Sequence, residues 1–523
     1  MTERRLRAAT GATYAVLALS MADNTMVGVA VPSVRDTFSL GVTALQWVVA
    51  GYVVAFAALL FTGGVVGDRY GRKRALVFGI GLFAAGALVA ATAWDWRILV
   101  AGRVVQGIGA ACSEPGTLSL LRQLHPDEKY RLRVLGGWAA ASGLALAAGP
   151  VAAGLLLGAG GWRAVFVAEA LAAVVAGSVG AALLPESADP APGRGDLRGQ
   201  ALLAAALAAT TFALIDGQER GFGAVPVVIA WVVAAASVAG FVAVERRQDE
   251  RVIDLHLLRD RVAAAGLVAA ATSTFALFAV LLLVSLDLQI VGDYGGLATA
   301  GIFAPMTAAM VLTGPLGGRW AMRGPAGPLL TGLILATASC ALLDATLSRP
   351  IPVLLTVATL TGMGAGFGLV IAPVVGTVLA RVPARRSGMG AAAVTAAREM
   401  GGVLGIAVLG AVVNGLLISG LSARLVDLGI PVSYRAIVID AVRHGAPLPK
   451  PVVPHGNFLE RTIQAIEQHL TDQTIDAGKA AYVDSLRTAL IVAVCVLAAG
   501  ALAVWLLLRR ADPDTPESVS RRC

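Results

Sequence analysis

Runs of 18 or more mostly apolar residues recur from one end of this 523-residue chain to the other. At 1.5 Å per residue, each is long enough to cross roughly 30 Å of hydrocarbon as a helix. The composition agrees: 57% of the residues are hydrophobic and only 14% charged, too little polar surface to cover a water-soluble globule of this size. A soluble enzyme is excluded, and an all-α polytopic membrane protein is expected. The four cysteines (Cys112, Cys340, Cys495, Cys523) show no CxxC or metal-ligand spacing, so neither a disulfide framework nor a metal site is expected.

Fourteen spans are expected, at about 12–33, 46–67, 75–94, 97–122, 132–157, 161–183, 199–216, 224–244, 262–287, 297–318, 325–346, 351–380, 388–417 and 485–508. An even number puts both termini on one side. With that side cytoplasmic, 27 of the 41 Lys and Arg residues fall on cytoplasmic segments. Five fall on short external loops (Arg35, Arg97, Arg163, Arg220, Arg349), seven on one long external loop and two within spans (Arg103, Arg398). This asymmetry follows the positive-inside rule and points to a cytoplasmic membrane location with both termini inside. It also accounts for the net charge of +8 without a nucleic-acid partner. The basic start and first apolar run are of full spanning length and lead into further spans, so they are expected to be retained.

Two charged or Pro/Gly-rich segments, 184–198 and 245–261, bracket one helical pair. They divide the chain into an N-terminal six-helix bundle (1–184), a linker with two inserted helices (185–261) and a C-terminal six-helix bundle (262–523). The last of these includes a long external loop, 418–484, with a Pro-rich stretch and an expected helix from Asn457 to Leu470.

Charged residues at membrane depth are expensive, about 2.5–3.5 kcal/mol each on insertion scales, so they should face a wet cavity or a partner. Asp23 lies about halfway along span 1, and Arg103 and Glu114 lie eleven residues apart on one face of span 4. Glu169 falls in span 6, and Arg398 and Glu399 are adjacent in span 13, diverging by about 100° around the helix. Asp216, Asp287 and Asp344 lie nearer span ends, where an interfacial carboxylate is expected. Between spans 2 and 3 runs Gly64-Val-Val-Gly67-Asp68-Arg69-Tyr70-Gly71-Arg72-Lys73-Arg74, in which Asp68 can pair with Arg72 or sit at a facing helix N-terminus. Span 5 carries Gly136, Gly143, Gly149-Pro150 and Gly154, with Gly136, Gly143, Pro150 and Gly154 on one face suited to close helix approach.

The loop from Gly64 to Arg74 resembles the signature loop of the major facilitator superfamily, in which it acts as a conformational latch. A weaker echo without the aspartate, Gly314 to Gly324, follows span 10. The run Asp23 to Pro32 resembles the first-helix motif of the fourteen-span drug:proton antiporters, with Gly28 in place of asparagine. Arg103-x2-Gln106-Gly107-x-Gly109 resembles the fourth-helix motif whose arginine is linked to proton transfer. Gly143-x5-Gly149-Pro150-x3-Gly154 is similar to the motif of exporters, and Glu169 stands where the sixth-helix pattern has asparagine.

The resemblance implies two six-helix bundles plus two inserted central helices, and efflux of small hydrophobic or cationic molecules by alternating access, driven by the proton gradient. Asp23, Glu114, Arg103, Glu399, Arg398 and Glu169 would bind protons or substrate. Gly64, Asp68, Arg69, Gly71, Arg72, Gly143, Gly149, Pro150 and Gly154 would serve the conformational motifs. Partners would be substrate, protons and membrane lipids, with a monomer as working unit and no cofactor. Export of a lipid, peptide or endogenous metabolite is the alternative within transport. A membrane-embedded transferase is disfavoured because all five histidines fall outside the spans and no nucleophile constellation is visible. No GxxxxGK[ST] occurs, so direct ATP drive is not expected.

Overall fold

The computed structural model describes residues 2–125, 127–187, 196–247, 257, 259–347, 351–382, 387–430, 432–444 and 458–510, and these are helical apart from short turns. Spans 1 to 4 are Glu3–Phe38, Val42–Tyr70, Arg72–Ala91 and Trp96–Leu124. Spans 5 and 6 are the two limbs of Glu128–Leu183, parted at Gly160 and Gly161. Gly161 has φ +68°, which a glycine adopts without the penalty a Cβ would bring. Pro150 lies within the helix. Spans 7 to 12 are Leu197–Arg220, Val225–Arg247, Arg261–Leu286, Gly296–Ala321, Ala326–Thr346 and Val353–Leu379. Span 13 lies in Ser387–Asp427 and span 14 in Phe458–Arg509.

Twelve stretches among the described residues are long and apolar enough to cross a membrane. One of them, Ala140–Leu183, holds two crossings. Span 4 is too polar to be among the twelve, because it carries Arg103, Gln106 and Glu114. With these two additions the expected fourteen are accounted for.

Local chemistry sets several of the boundaries. Spans 4, 7 and 9 begin at aspartates: Asp95, Asp196 and Asp260 accept from the backbone N–H groups of Arg97, Gly199 and Ala263 at 2.7, 2.8 and 2.8 Å. Each cap satisfies one of the donors that a helix start leaves open. Within each half, helix pairs approach backbone to backbone on glycines. A side chain on Gly79, Gly86, Gly102 or Gly109 would strike the facing backbone of spans 3 and 4, and Gly332 and Gly366 do the same in spans 11 and 12. The same device at equivalent places in the two halves fits a repeated six-helix plan.

The halves join at mid-depth and at the end away from the chain termini. There Gln46 of span 2 donates to the Ile406 carbonyl of span 13 at 2.9 Å, and Gln289 donates to the Val29 carbonyl of span 1 at 3.2 Å. Gly154 of span 5 meets Gly296 and Ala300 of span 10. The inserted span 7 is stapled to span 2 near both its ends: Thr62 donates to Gln200 at 2.6 Å and Trp47 to Asp216 at 2.8 Å. Between these staples spans 2, 4 and 7 form an open-sided apolar groove of about 420 Å³ lined by Gly51, Ala55, Ala58, Ile108, Ala204 and Ala208.

The long loop is more regular than the sequence suggests. The helix expected at Asn457 to Leu470 begins at Phe458 and runs unbroken into span 14, 52 residues in all, or about 78 Å. Span 13 likewise continues to Asp427, and a short helix, Val432–His444, lies between. Arg424 pairs with Asp484 to hold the two overrunning helices together, and Lys479 pairs with Asp293 at 2.7 Å. The Pro-rich stretch, most of the 184–198 linker and most of the 245–261 connector lie outside the described residues.

Candidate functional site

Span 1 is the hinge of the site because it is packed on every side at mid-depth. Residues 23 to 32 are all buried, so its polar side chains must find partners on other spans. Asp23 and Asn24 diverge by about 100°, while Ser20 and Asn24, four residues apart, share a stripe. Two clusters result.

The first cluster lies within the N-terminal half. Arg103 donates to both oxygens of Asp23, at 2.5 and 2.9 Å, and a third bond runs to Gln106 Oε1 at 2.9 Å. The Gln106 amide nitrogen then donates to Glu169 Oε2 at 3.0 Å. Asp23, Arg103 and Gln106 are fully buried and Glu169 is 1% exposed. The rings of Tyr52 and Phe166 lie against the guanidinium, 4.6 and 5.8 Å from it, a cation–π arrangement that shields it from water.

The second cluster lies on the seam between the halves. Ser20 donates to Glu114 at 3.0 Å, and Asn24 reaches Glu399 at 3.4 Å. Arg398 reaches Ser142 Oγ at 3.5 Å and Met21 Sδ at 3.2 Å. Its carbonyl is fixed by the Thr274 hydroxyl at 2.6 Å. Asn24 Oδ1, Glu399 Oε2 and Arg398 Nε are buried with no hydrogen-bond partner among the described residues.

Charge counting separates this arrangement from ordinary packing. Each cluster holds two acids and one arginine: Asp23 and Glu169 against Arg103, Glu114 and Glu399 against Arg398. A surplus carboxylate in a low-dielectric interior is not stable as a bare ion, so it takes a proton or a cation. In the seam cluster Asn24 Oδ1, Glu399 Oε2 and Arg398 Nε are the atoms left without a hydrogen-bond partner among the described residues.

The structure gathers all six charged candidates but reassigns their neighbours. Arg103 and Glu114 do share a face of span 4, yet they serve different clusters; Arg103 pairs with Asp23, and Glu114 accepts from Ser20. Arg398 and Glu399 both reach the seam, because their divergence lets one meet Ser142 and Met21 while the other meets Asn24. Asp287, expected at an interface, is 2% exposed and opens a π-helical turn, Asp287–Val291. There the Tyr482 hydroxyl donates to the Leu283 carbonyl at 2.8 Å, alongside the Asp287 N–H that the same carbonyl accepts. Asp216 is tied to Trp47 and Arg220. Ser20, Asn24, Tyr52 and Ser142 were not singled out from sequence, although a polar residue within an apolar run was signal enough.

The conformational motifs divide in the same way. Asp68 pairs with Arg72 at 2.9 Å on its own loop, and Gly71 closes the turn at φ +114°. The segment after span 6 straps this loop: Ser187 accepts from the Arg72 N–H at 2.7 Å, and Glu186 accepts from the Lys73 N–H at 3.2 Å. A Cβ on Gly64 would meet Pro115 at 3.7 Å, an ordinary contact, and Arg69 lies over the Tyr70 ring. In span 5, Gly149 packs on Ala22 and Thr25 of span 1 and Gly154 on span 10, whereas Gly143 has no neighbour in its Cβ direction within 4 Å. Close approach therefore occurs at the second and third of these glycines and not at the first.

Residues 13–406 match the family model described as Major Facilitator Superfamily. The chain is 30% identical over 489 residues to "Multidrug resistance protein Stp" of Mycobacterium tuberculosis, covering 92% of this chain and 88% of that one. It is 34% identical over 447 residues to "Probable actinorhodin transporter" of Streptomyces coelicolor, covering 80% and 74%. Among solved structures, a bacterial homologue of the human lysosomal transporter Spinster, inward-facing and unoccupied, aligns with TM-score 0.65 at 15% identity, covering 97% of this chain and 98% of that one.

Proposed function

Because the chain belongs to the Major Facilitator Superfamily, we propose that it is a secondary transporter that exports hydrophobic or cationic small molecules in exchange for protons. Relatives named for multidrug resistance and antibiotic export support the direction and the class of cargo. The observation that supports the coupling is the gathering on the seam of two buried acids and one arginine, Glu114 held by Ser20, Glu399 by Asn24 and Arg398 by Ser142, with no ion pair among them in the described residues.

A proton and a cationic cargo compete for that surplus, and only one neutralises it at a time. With both termini cytoplasmic, the joined end of the halves is the external one, and the conformation described is inward-facing. Cargo enters from the cytoplasm and displaces a proton from the seam. The halves then rock about it, and a proton from outside releases the cargo. Cargo with an apolar body and one positive charge suits a seam of one net negative charge.

The test is transport by the purified protein in proteoliposomes carrying an imposed pH gradient. Accumulation of a cationic dye should follow the gradient and collapse when it is dissipated. Transport indifferent to the gradient would refute the exchange. Glu114→Gln and Glu399→Gln should each weaken binding of cationic cargo while leaving a neutral cargo less affected.

A further inference from the structure

The groove between spans 2, 4 and 7 plays no part in the exchange. Gly51, Ala55 and Ala58 of span 2 and Ala204 and Ala208 of span 7 line it, together with Ile108 of span 4. Three- and four-residue spacing puts each set on one helix face, so the groove runs along the helix axes. Small side chains leave the gap, although both ends of span 7 are pinned to span 2 by Thr62–Gln200 and Trp47–Asp216. Every lining side chain is apolar apart from Trp47, whose indole N–H is spent on Asp216. A water held there would lack the polar partners it needs. From Trp47 to Ala58 the wall rises about 17 Å, close to half of the roughly 30 Å hydrocarbon core. Trp47 stands near the start of Val42–Tyr70, at the end away from the chain termini, so the groove falls mainly within one leaflet.

We propose that one acyl chain of a phospholipid, from the leaflet away from the termini, occupies this groove as a bound ligand. The match is one of chemistry and length: a hydrocarbon chain asks for no hydrogen bonds, lies along the bilayer normal as the groove does, and extends through one leaflet. Its position matters because of what span 7 touches. Beyond the Trp47 end, Ile215 of span 7 is buried with Ala50 of span 2 and Ala407 of span 13. Gln218 of span 7 donates to Gln46 at 3.4 Å, and Gln46 in turn donates to the Ile406 carbonyl. Span 7 thus reaches both halves, and the bound chain fills the space behind a helix that bridges their joint.

The test places the full-length protein in vesicles of phosphatidylcholine that carries a photoactivatable diazirine on one acyl chain, and locates the adducts by mass spectrometry. After illumination, adducts should be denser at residues 51–58, 108 and 204–208 than on the open face of span 8, where Val228, Ile229 and Val232 are exposed to bulk lipid. Ala55→Leu combined with Ala204→Leu fills the groove, so it should remove most of those adducts and spare the ones on span 8. Equal labelling of the groove and the span 8 face would mean passing bilayer lipid only and would overturn the proposal, as would groove adducts that survive the filling. Loss of the groove adducts in the presence of excess cationic dye, with span 8 still labelled, would overturn it by giving the groove to cargo. The comparison within the wild type needs no variant, so a filled protein that fails to fold cannot shield the proposal.

Discussion

Arg103 shows how much a single side chain can hold. It fills five partners at once: two oxygens of Asp23, the Gln106 amide, the Val48 carbonyl and the face of Tyr52. Arg103→Ala would leave an uncompensated carboxylate in the interior, and breaking a buried pair on one side costs about 3–5 kcal/mol. Thermal unfolding in detergent should therefore occur at a clearly lower temperature. Arg103→Lys keeps the charge but loses the planar fork, so it should recover part of the stability and little of the transport. Asp23→Asn combined with Arg103→Gln should restore most of the stability without restoring transport, because both charges leave together. A Cβ on Gly71 would strike the Glu186 carboxylate from a left-handed backbone position. Gly71→Ala should cost about 1–3 kcal/mol and loosen the loop that Ser187 straps.

Helices were read well from apolar length, and their partners were not. Asp23 and Arg103 stood out singly because charge in an apolar run is rare, but eighty residues separate them and no spacing rule joins positions on two helices. Periodicity likewise found the small-residue face of span 5 without revealing that Gly154 meets the other half while Gly143 faces open space. That contrast gives a paired prediction: Gly143→Ala should stay within about 0.5 kcal/mol of wild type, whereas Gly154→Ala should push spans 5 and 10 apart. Spin labels at residues 41 and 295 should report a longer distance in the second variant alone. The overrun of spans 13 and 14 escaped sequence because helical propensity does not stop at the membrane face, whereas hydropathy does. The burial of Asp287 at the end of span 9 was not legible, because position along a run does not reveal which helix packs over it.

On the scale of the molecule, two bundles meet away from the termini, and span 7 of the inserted pair leans on span 2 at the flank of that joint. Locking the joint should stop the cycle. In a background with all four cysteines replaced, Leu157→Cys with Gly296→Cys should cross-link once spans 5 and 10 part slightly, since a Cβ at 296 would lie 3.0 Å from that of Leu157 and a disulfide needs about 3.5–4.5 Å. Oxidation should abolish transport and reduction should restore it; undiminished transport by the oxidised protein would mean that this end never opens. The six-plus-two-plus-six plan was visible from spans and linkers, since covalent order and charge asymmetry are written along the chain. The way the halves lean together was not, because two conformations of one sequence share every hydropathy value.

The single excess carboxylate on the seam has an electrical consequence. Under the proposed exchange, the protein emptied of both proton and cargo would place one uncompensated negative charge about halfway through the bilayer, where it would feel roughly half of the transmembrane potential. Moving a full charge across 100 mV is worth about 2.3 kcal/mol, so this intermediate gains or loses about 1 kcal/mol with every such change in voltage. A monovalent cationic cargo swapped for one proton leaves the books level, whereas a neutral cargo swapped for one proton carries current, and cell polarisation should favour the second more than the first.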